Sequence, residues 1–77
     1  MTKLEMLNRI LSDYEIHAYA NRLQYLSKTD IDYCYKVSKV SRSAAKALLL
    51  DTANKNIMEG VKPSPIYYIF NGKKHCL

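Results

Sequence analysis

Six side chains carry the groups from which a catalytic or metal centre is ordinarily built: Cys34, Cys76, His17, His75, Asp30 and Asp32. Cys34 with His75 has the chemistry of a nucleophile and its base, yet any compact fold brings some such pair close, and no third group is in place to orient it. His75 and Cys76 are neighbours in a stretch that reads as a strand, where adjacent side chains point to opposite faces and cannot share a metal ion. Asp30 and Asp32 are two positions apart, a spacing that does not bring side chains together on a helix; they read as acids in a first helical turn. There is no Gly-rich phosphate loop, no zinc-type Cys/His spacing and no nucleophile elbow. The expectation is a non-enzymatic binding protein with no cofactor, no metal and no catalytic residue.

Charge points to a different kind of chemistry. The 77 residues carry a formal net charge of +5, and that excess is unevenly placed. Residues 1–32 hold four basic and five acidic side chains, whereas residues 33–77 hold eight basic and two acidic ones. A surface of this polarity favours a polyanionic partner on its basic side. Length allows one domain, residues 1–77, with a thin margin of stability. Hydrophobic residues are 48% of the chain and charged residues 25%, with two Gly and two Pro, a globular composition. A homodimer would add burial but is not demanded. No apolar run is long enough to span a bilayer, and the start Met1-Thr2-Lys3-Leu4-Glu5 lacks a signal-peptide pattern, so a cytoplasmic location is expected. Two cysteines fit that compartment as reduced thiols, with a single Cys34–Cys76 disulfide as the alternative.

The elements that must position these charges follow from periodicity and caps. Thr2 with Glu5 is a capping box opening a helix through Leu4, Leu7, Ile10 and Leu11, and Ser12 with Glu15 repeats it. Ile16, Tyr19, Ala20, Leu23 and Leu26 then keep one apolar face, so two helices are expected to meet near Ser12. Thr29 is read as the next N-cap, with Asp30 and Asp32 in the first turn and the helix running to about Lys39 on a stripe of Ile31, Cys34, Tyr35 and Val37 or Ser38. Val40 and Ser41 make a tight junction. Ser41 or Ser43 caps a further helix ending around Asn54 to Asn56. Gly60, Pro63 and Pro65 define a loop. Ile66-Tyr67-Tyr68-Ile69-Phe70, Asn71-Gly72 and Lys73 to Leu77 then predict a hairpin with a type I′ turn, pairing Phe70 with Lys73, Tyr68 with His75 and Ile66 with Leu77 on one face, and Tyr67 with Cys76 and Ile69 with Lys74 on the other. The expected class is α+β, mostly helical, with three to four helices and a C-terminal β-hairpin.

The most specific stretch is Val40-Ser41-Arg42-Ser43-Ala44-Ala45-Lys46-Ala47-Leu48-Leu49. It resembles the start of a recognition helix in helix-turn-helix proteins, with buried positions falling on Ala45, Leu48 and Leu49. The order of helices, helix-turn-helix pair and hairpin is similar to that of winged-helix DNA-binding domains over residues 13–77. The pattern departs from that family at Tyr35, Ser38 and Lys39, and offers little material near Ser27 and Lys28 for the short strand such domains usually carry. The resemblance implies double-stranded DNA as partner, with a role as a small transcriptional regulator or recombination accessory factor. Arg42, Ser43 and Lys46 would then face the groove, Lys36 and Lys39 would touch phosphates, and Lys73 and Lys74 would act from the wing.

Two other readings stand beside this one. Seven Tyr and one Phe suit amphipathic packing, with rings inside and hydroxyls at the surface, but a Tyr-rich surface also suits a protein–protein interface. The rival is therefore a small phage- or plasmid-type protein that binds and inhibits a host protein. An RNA-binding accessory role, with bases stacked on exposed Tyr, is the third reading.

Overall fold

Side-chain caps divide the chain into its helices. In the computed structural model, which describes residues 1–76, α1 spans Lys3–Ile10, α2 Asp13–Leu23, α3 Lys28–Ser38 and α4 Arg42–Met58, followed by β1 Tyr67–Phe70 and β2 Lys73–Cys76. Thr2 accepts from the Glu5 backbone N–H while the Glu5 carboxylate accepts from the Thr2 N–H, and Ser12 and Glu15 repeat the arrangement at the head of α2. Leu11 adopts an extended conformation between them, so the second box does open a new helix. Each such cap satisfies backbone donors that a helix N-terminus leaves unpaired.

The start of α3 differs from the sequence reading. Its N-cap is Ser27, not Thr29, and the box closes on Asp30. Both hydroxyls are acceptable caps and both have an aspartate three residues on, Asp30 for Ser27 and Asp32 for Thr29; the box that forms is the earlier one. Asp32 therefore lies beyond the first turn, where it pairs with Lys36 at 3.1 Å across one helical turn. At the other end, α4 continues to Met58, past the expected stop at Asn54 to Asn56. Gly60 explains the extension. With φ of 78° it takes the left-handed position after the helix, and the Val61 and Gly60 N–H groups return to the Asn56 and Ile57 carbonyls.

The four helices enclose one apolar cluster built on Leu7, Ile10, Leu11, Ile16, Leu23, Leu26, Ile31 and Leu49. α3 makes its most extensive contacts with α4 and α1. α4 contributes a narrow stripe, Ala45, Leu49 and Ala53, so the helices approach closely there. Leu48 is only partly buried, and Leu49 takes the central place. No buried polar side-chain atom among the described residues lacks a hydrogen-bond partner.

The hairpin forms in the expected register, with Phe70 opposite Lys73, Tyr68 opposite His75, Ile69 opposite Lys74 and Tyr67 opposite Cys76. Asn71 and Gly72 have φ of 53° and 72°, the positive values that a type I′ turn requires. The expected Ile66–Leu77 pair lies outside the described residues, since Leu77 is not among them. The sheet has these two strands among the described residues. It packs on α2, sending Tyr68 into the core and leaving Tyr67 and Ile69 outside. The α+β, mostly helical class with a C-terminal hairpin is the one observed. No helix among the described residues is long and apolar enough to cross a membrane.

Candidate nucleic-acid interface

The α3–α4 junction is short because Lys39, Val40 and Ser41 are all it contains. Val40 is 92% exposed at its tip. Ser41 caps α4 through its hydroxyl, which accepts from the Ala44 N–H at 3.2 Å. Ala44 stands where the other three helices carry Glu5, Glu15 and Asp30, and the first turn of α4 has no acid at all. The positive end of its dipole is therefore not offset by a carboxylate from its own chain segment.

Around that helix start lie five of the seven residues expected to touch DNA. Lys36 is exposed and pairs with Asp32, and Lys39 is exposed with its ammonium 5.2 Å from the Tyr35 ring centroid. Ser43 is exposed. Arg42 lies at the surface, but its Nε donates to the Ile10 carbonyl at 2.9 Å, tying the head of α4 to the end of α1. Lys46 is half-buried, forms an ion pair with Glu15 and lies 5.9 Å from the Tyr19 ring centroid. Sequence periodicity gave no sign of these last two partners, because each joins residues more than thirty positions apart.

The Glu15 carboxyl shows how firmly Lys46 is engaged. The hydrogen bond from Lys46, and next the Ser12 N–H, hold it at about 2, down from 4.5. A carboxyl depressed in the folded state adds stability above its ordinary range, and that stability is lost as the pH falls toward the folded value. Glu15→Gln is accordingly expected to lower the melting temperature at pH 6, with the gap to the parent protein closing between pH 4.5 and about 2. Thermal melts followed by circular dichroism at stepped pH check this. A gap that stays constant across that window would contradict the pairing.

Lys73 and Lys74 stand apart from these five. Both are exposed on β2 next to the turn, and Lys74 sits 5.5 Å from the Tyr67 ring centroid. No carboxylate among the described residues forms an ion pair with either, and residues 60–77 contain no Asp or Glu. The hairpin is held to α2 by His17, whose Nδ1 is 3.1 Å from the Tyr68 hydroxyl and whose ring stacks on Phe70 at 4.2 Å. His75 stacks on Tyr68 and meets the His17 ring edge-on at 5.3 Å. At 100° per residue, His17 lies about 160° around α2 from both Glu15 and Tyr19. The hairpin and the head of α4 thus flank α2 on opposite sides, and the seven residues form two basic clusters rather than one.

The role of His17 as the hairpin's anchor escaped the sequence reading. The signal was present in the register, which puts Tyr68, Phe70 and His75 on one face and so requires a facing surface of similar chemistry. The tyrosines divide in the same way. Tyr68 is buried and Tyr19, Tyr25 and Tyr35 half-buried, whereas Tyr14, Tyr33 and Tyr67 are 70%, 62% and 56% exposed.

Of the groups considered for catalysis, His17 and His75 meet in the hairpin's packing on α2, and the thiols lie elsewhere. Cys34 is buried in α3, where desolvation and then the nearby Asp30 charge raise its pKa, opposite to what a nucleophilic thiol needs. Cys76 is a second free thiol, exposed on the outer face of the hairpin, so the two do not form the alternative disulfide. No group of three or more His, Cys, Asp or Glu side chains converges on a metal position among the described residues. Compared with known proteins, the chain matches no family model, no curated protein and no solved structure.

Proposed function

We propose that the protein is a cytoplasmic, non-enzymatic DNA-binding protein that holds the phosphate backbone with two basic clusters, one at the α3–α4 turn and one on the hairpin. The observation that carries this reading is the excess of positive charge in residues 33–77, eight basic side chains against two acidic ones, with most of the basic ones at the α3–α4 turn and on the hairpin. Lys39, Arg42, Lys73 and Lys74 have no acidic partner among the described residues, and Lys36 has only an exposed one that a phosphate can replace. The acid-free first turn of α4 lies within the first cluster and adds backbone N–H groups of the kind that bind phosphate. Lys46 is spoken for by Glu15 and has a positioning role, fixing α4 on α2. Ser43, exposed in the first turn of α4, would contact a base or a phosphate. A transcriptional or recombination role fits such a surface.

The test is binding of a labelled mixed-sequence duplex, followed by fluorescence anisotropy. Saturable binding that weakens steeply with salt is expected.

The inhibitor reading keeps one specific support, the neighbouring exposed apolar side chains Ile57, Met58 and Val61 at the end of α4, 41%, 87% and 42% exposed. Large apolar groups left in water suit a protein partner. Absence of duplex binding at low salt would make that reading the leading one.

A further inference from the structure

The outer face of the hairpin has no role in the fold. Its inner face packs on α2 through its aromatic residues, since Tyr68 is buried and Phe70 is stacked on His17. That engagement fixes the hairpin on α2 and turns Tyr67 and Ile69, 56% and 63% exposed, into solvent. The same face carries Lys74, whose ammonium lies over the Tyr67 ring at 5.5 Å; Lys73, opposite Phe70, belongs to the other face and is exposed at the turn. The surrounding segment, residues 60–77, has three lysines and no acid. An exposed aromatic ring with a lysine ammonium beside it and no Asp or Glu in its own segment has two complementary features. It can stack with another π-face, and it sits where a chain of negative charge is held.

We infer that the outer face of the hairpin binds an unpaired stretch of DNA, with a base stacked on Tyr67 and the adjoining phosphates on Lys73 and Lys74. This rests on the DNA-binding reading and adds the form of DNA. A duplex buries its base faces in its own stack, so Tyr67 has nothing to stack on unless a strand is single. Base–aromatic stacking is also tolerant of sequence, because every base offers a π-face. The separation of the two basic clusters by α2 fits the same substrate. The hairpin, on the far flank of α2 from the α3–α4 turn, holds the last duplex phosphates through Lys73 and Lys74 while Tyr67 receives a base of the strand that leaves.

The experiment compares a labelled blunt duplex with the same duplex carrying a single-stranded thymidine tail, using the full chain and anisotropy at fixed salt. The tail is expected to tighten binding about tenfold, the effect of stacking one base. A tail of abasic residues, which keeps the phosphates and removes the bases, should lose most of that gain. Tyr67→Ala should abolish it and Tyr67→Phe should keep it, while both bind the blunt duplex as the parent does. Equal affinity for blunt and tailed DNA overturns the inference and leaves the DNA-binding reading standing. So does a gain that survives the abasic tail or Tyr67→Ala. If the protein binds none of these DNAs, the DNA-binding reading itself fails and this inference falls with it. The blunt-versus-tailed comparison needs no variant, so a folding defect in Tyr67→Ala cannot obscure the result.

Discussion

Leu49→Ala is expected to lower the free energy of unfolding by about 2–5 kcal/mol. Leu49 is fully buried, and its neighbours on the same stripe of α4 are Ala45 and Ala53, both also fully buried. It is therefore the one large side chain that α4 buries completely. The alanines above and below it cannot spread into the space it would leave, and a cavity that cannot collapse gives the larger losses. For a chain of this length the total stability is on the order of 4–12 kcal/mol, so the variant should melt far earlier and be partly unfolded at 37 °C. Urea denaturation monitored by circular dichroism measures the change. Leu48→Ala should cost less, because Leu48 is only partly buried. The reverse order would mean that α4 is rotated about its axis from the position described.

Lys73→Ala combined with Lys74→Ala is expected to weaken duplex binding roughly thirtyfold near 0.15 M salt and to reduce the salt slope by about 2. The magnitude comes from counterion release. Each phosphate neutralised contributes about 0.9 to the slope, so at this salt each lysine accounts for about a fivefold change in affinity. Both side chains are exposed and neither belongs to the core, while the turn residues Asn71 and Gly72 remain in place. The fold should therefore be unchanged by circular dichroism. The loss should also be similar for all sequences, since phosphate contacts position a protein without reading bases. An affinity that stays within twofold of the parent would remove the hairpin from the DNA interface.

Much of the fold was legible because its signals are local. A hydroxyl and an acid three residues apart marked the first two helices, and Asn71-Gly72 set both the hairpin and its register. The cap of α3 is not decided locally, because Ser27 and Thr29 are both good caps and each has an aspartate three residues on; Asp30 also accepts from the Asn56 side chain, a contact that exists only once α4 has packed. The end of α4 is harder to read, because Gly60 marks a loop and a helix stop equally well in sequence, and only its left-handed conformation shows that it terminates the helix.

The interface was legible as a list of charges but not as an arrangement. Nothing in the spacing of Arg42 and Lys46 reveals that they reach back to Ile10 and Glu15, since those contacts exist only after α4 has packed across α1 and α2. The division into two clusters likewise depends on which side of α2 receives the hairpin, and that is decided by His17 through contacts with Tyr68 and Phe70. Lys39, Lys73 and Lys74 are exposed for a simpler reason: a lysine ammonium is almost never buried without a partner.

The most direct test of the account is the affinity for a mixed-sequence duplex measured across about 50 to 200 mM salt, the range in which phosphate contacts are revealed. Five cations, Lys36, Lys39, Arg42, Lys73 and Lys74, predict a plot of log K against log salt with a slope of about −4 to −5. A slope in that range supports the two-cluster DNA interface. A flat response, or no binding at the lowest salt, would contradict it and leave a protein as the partner.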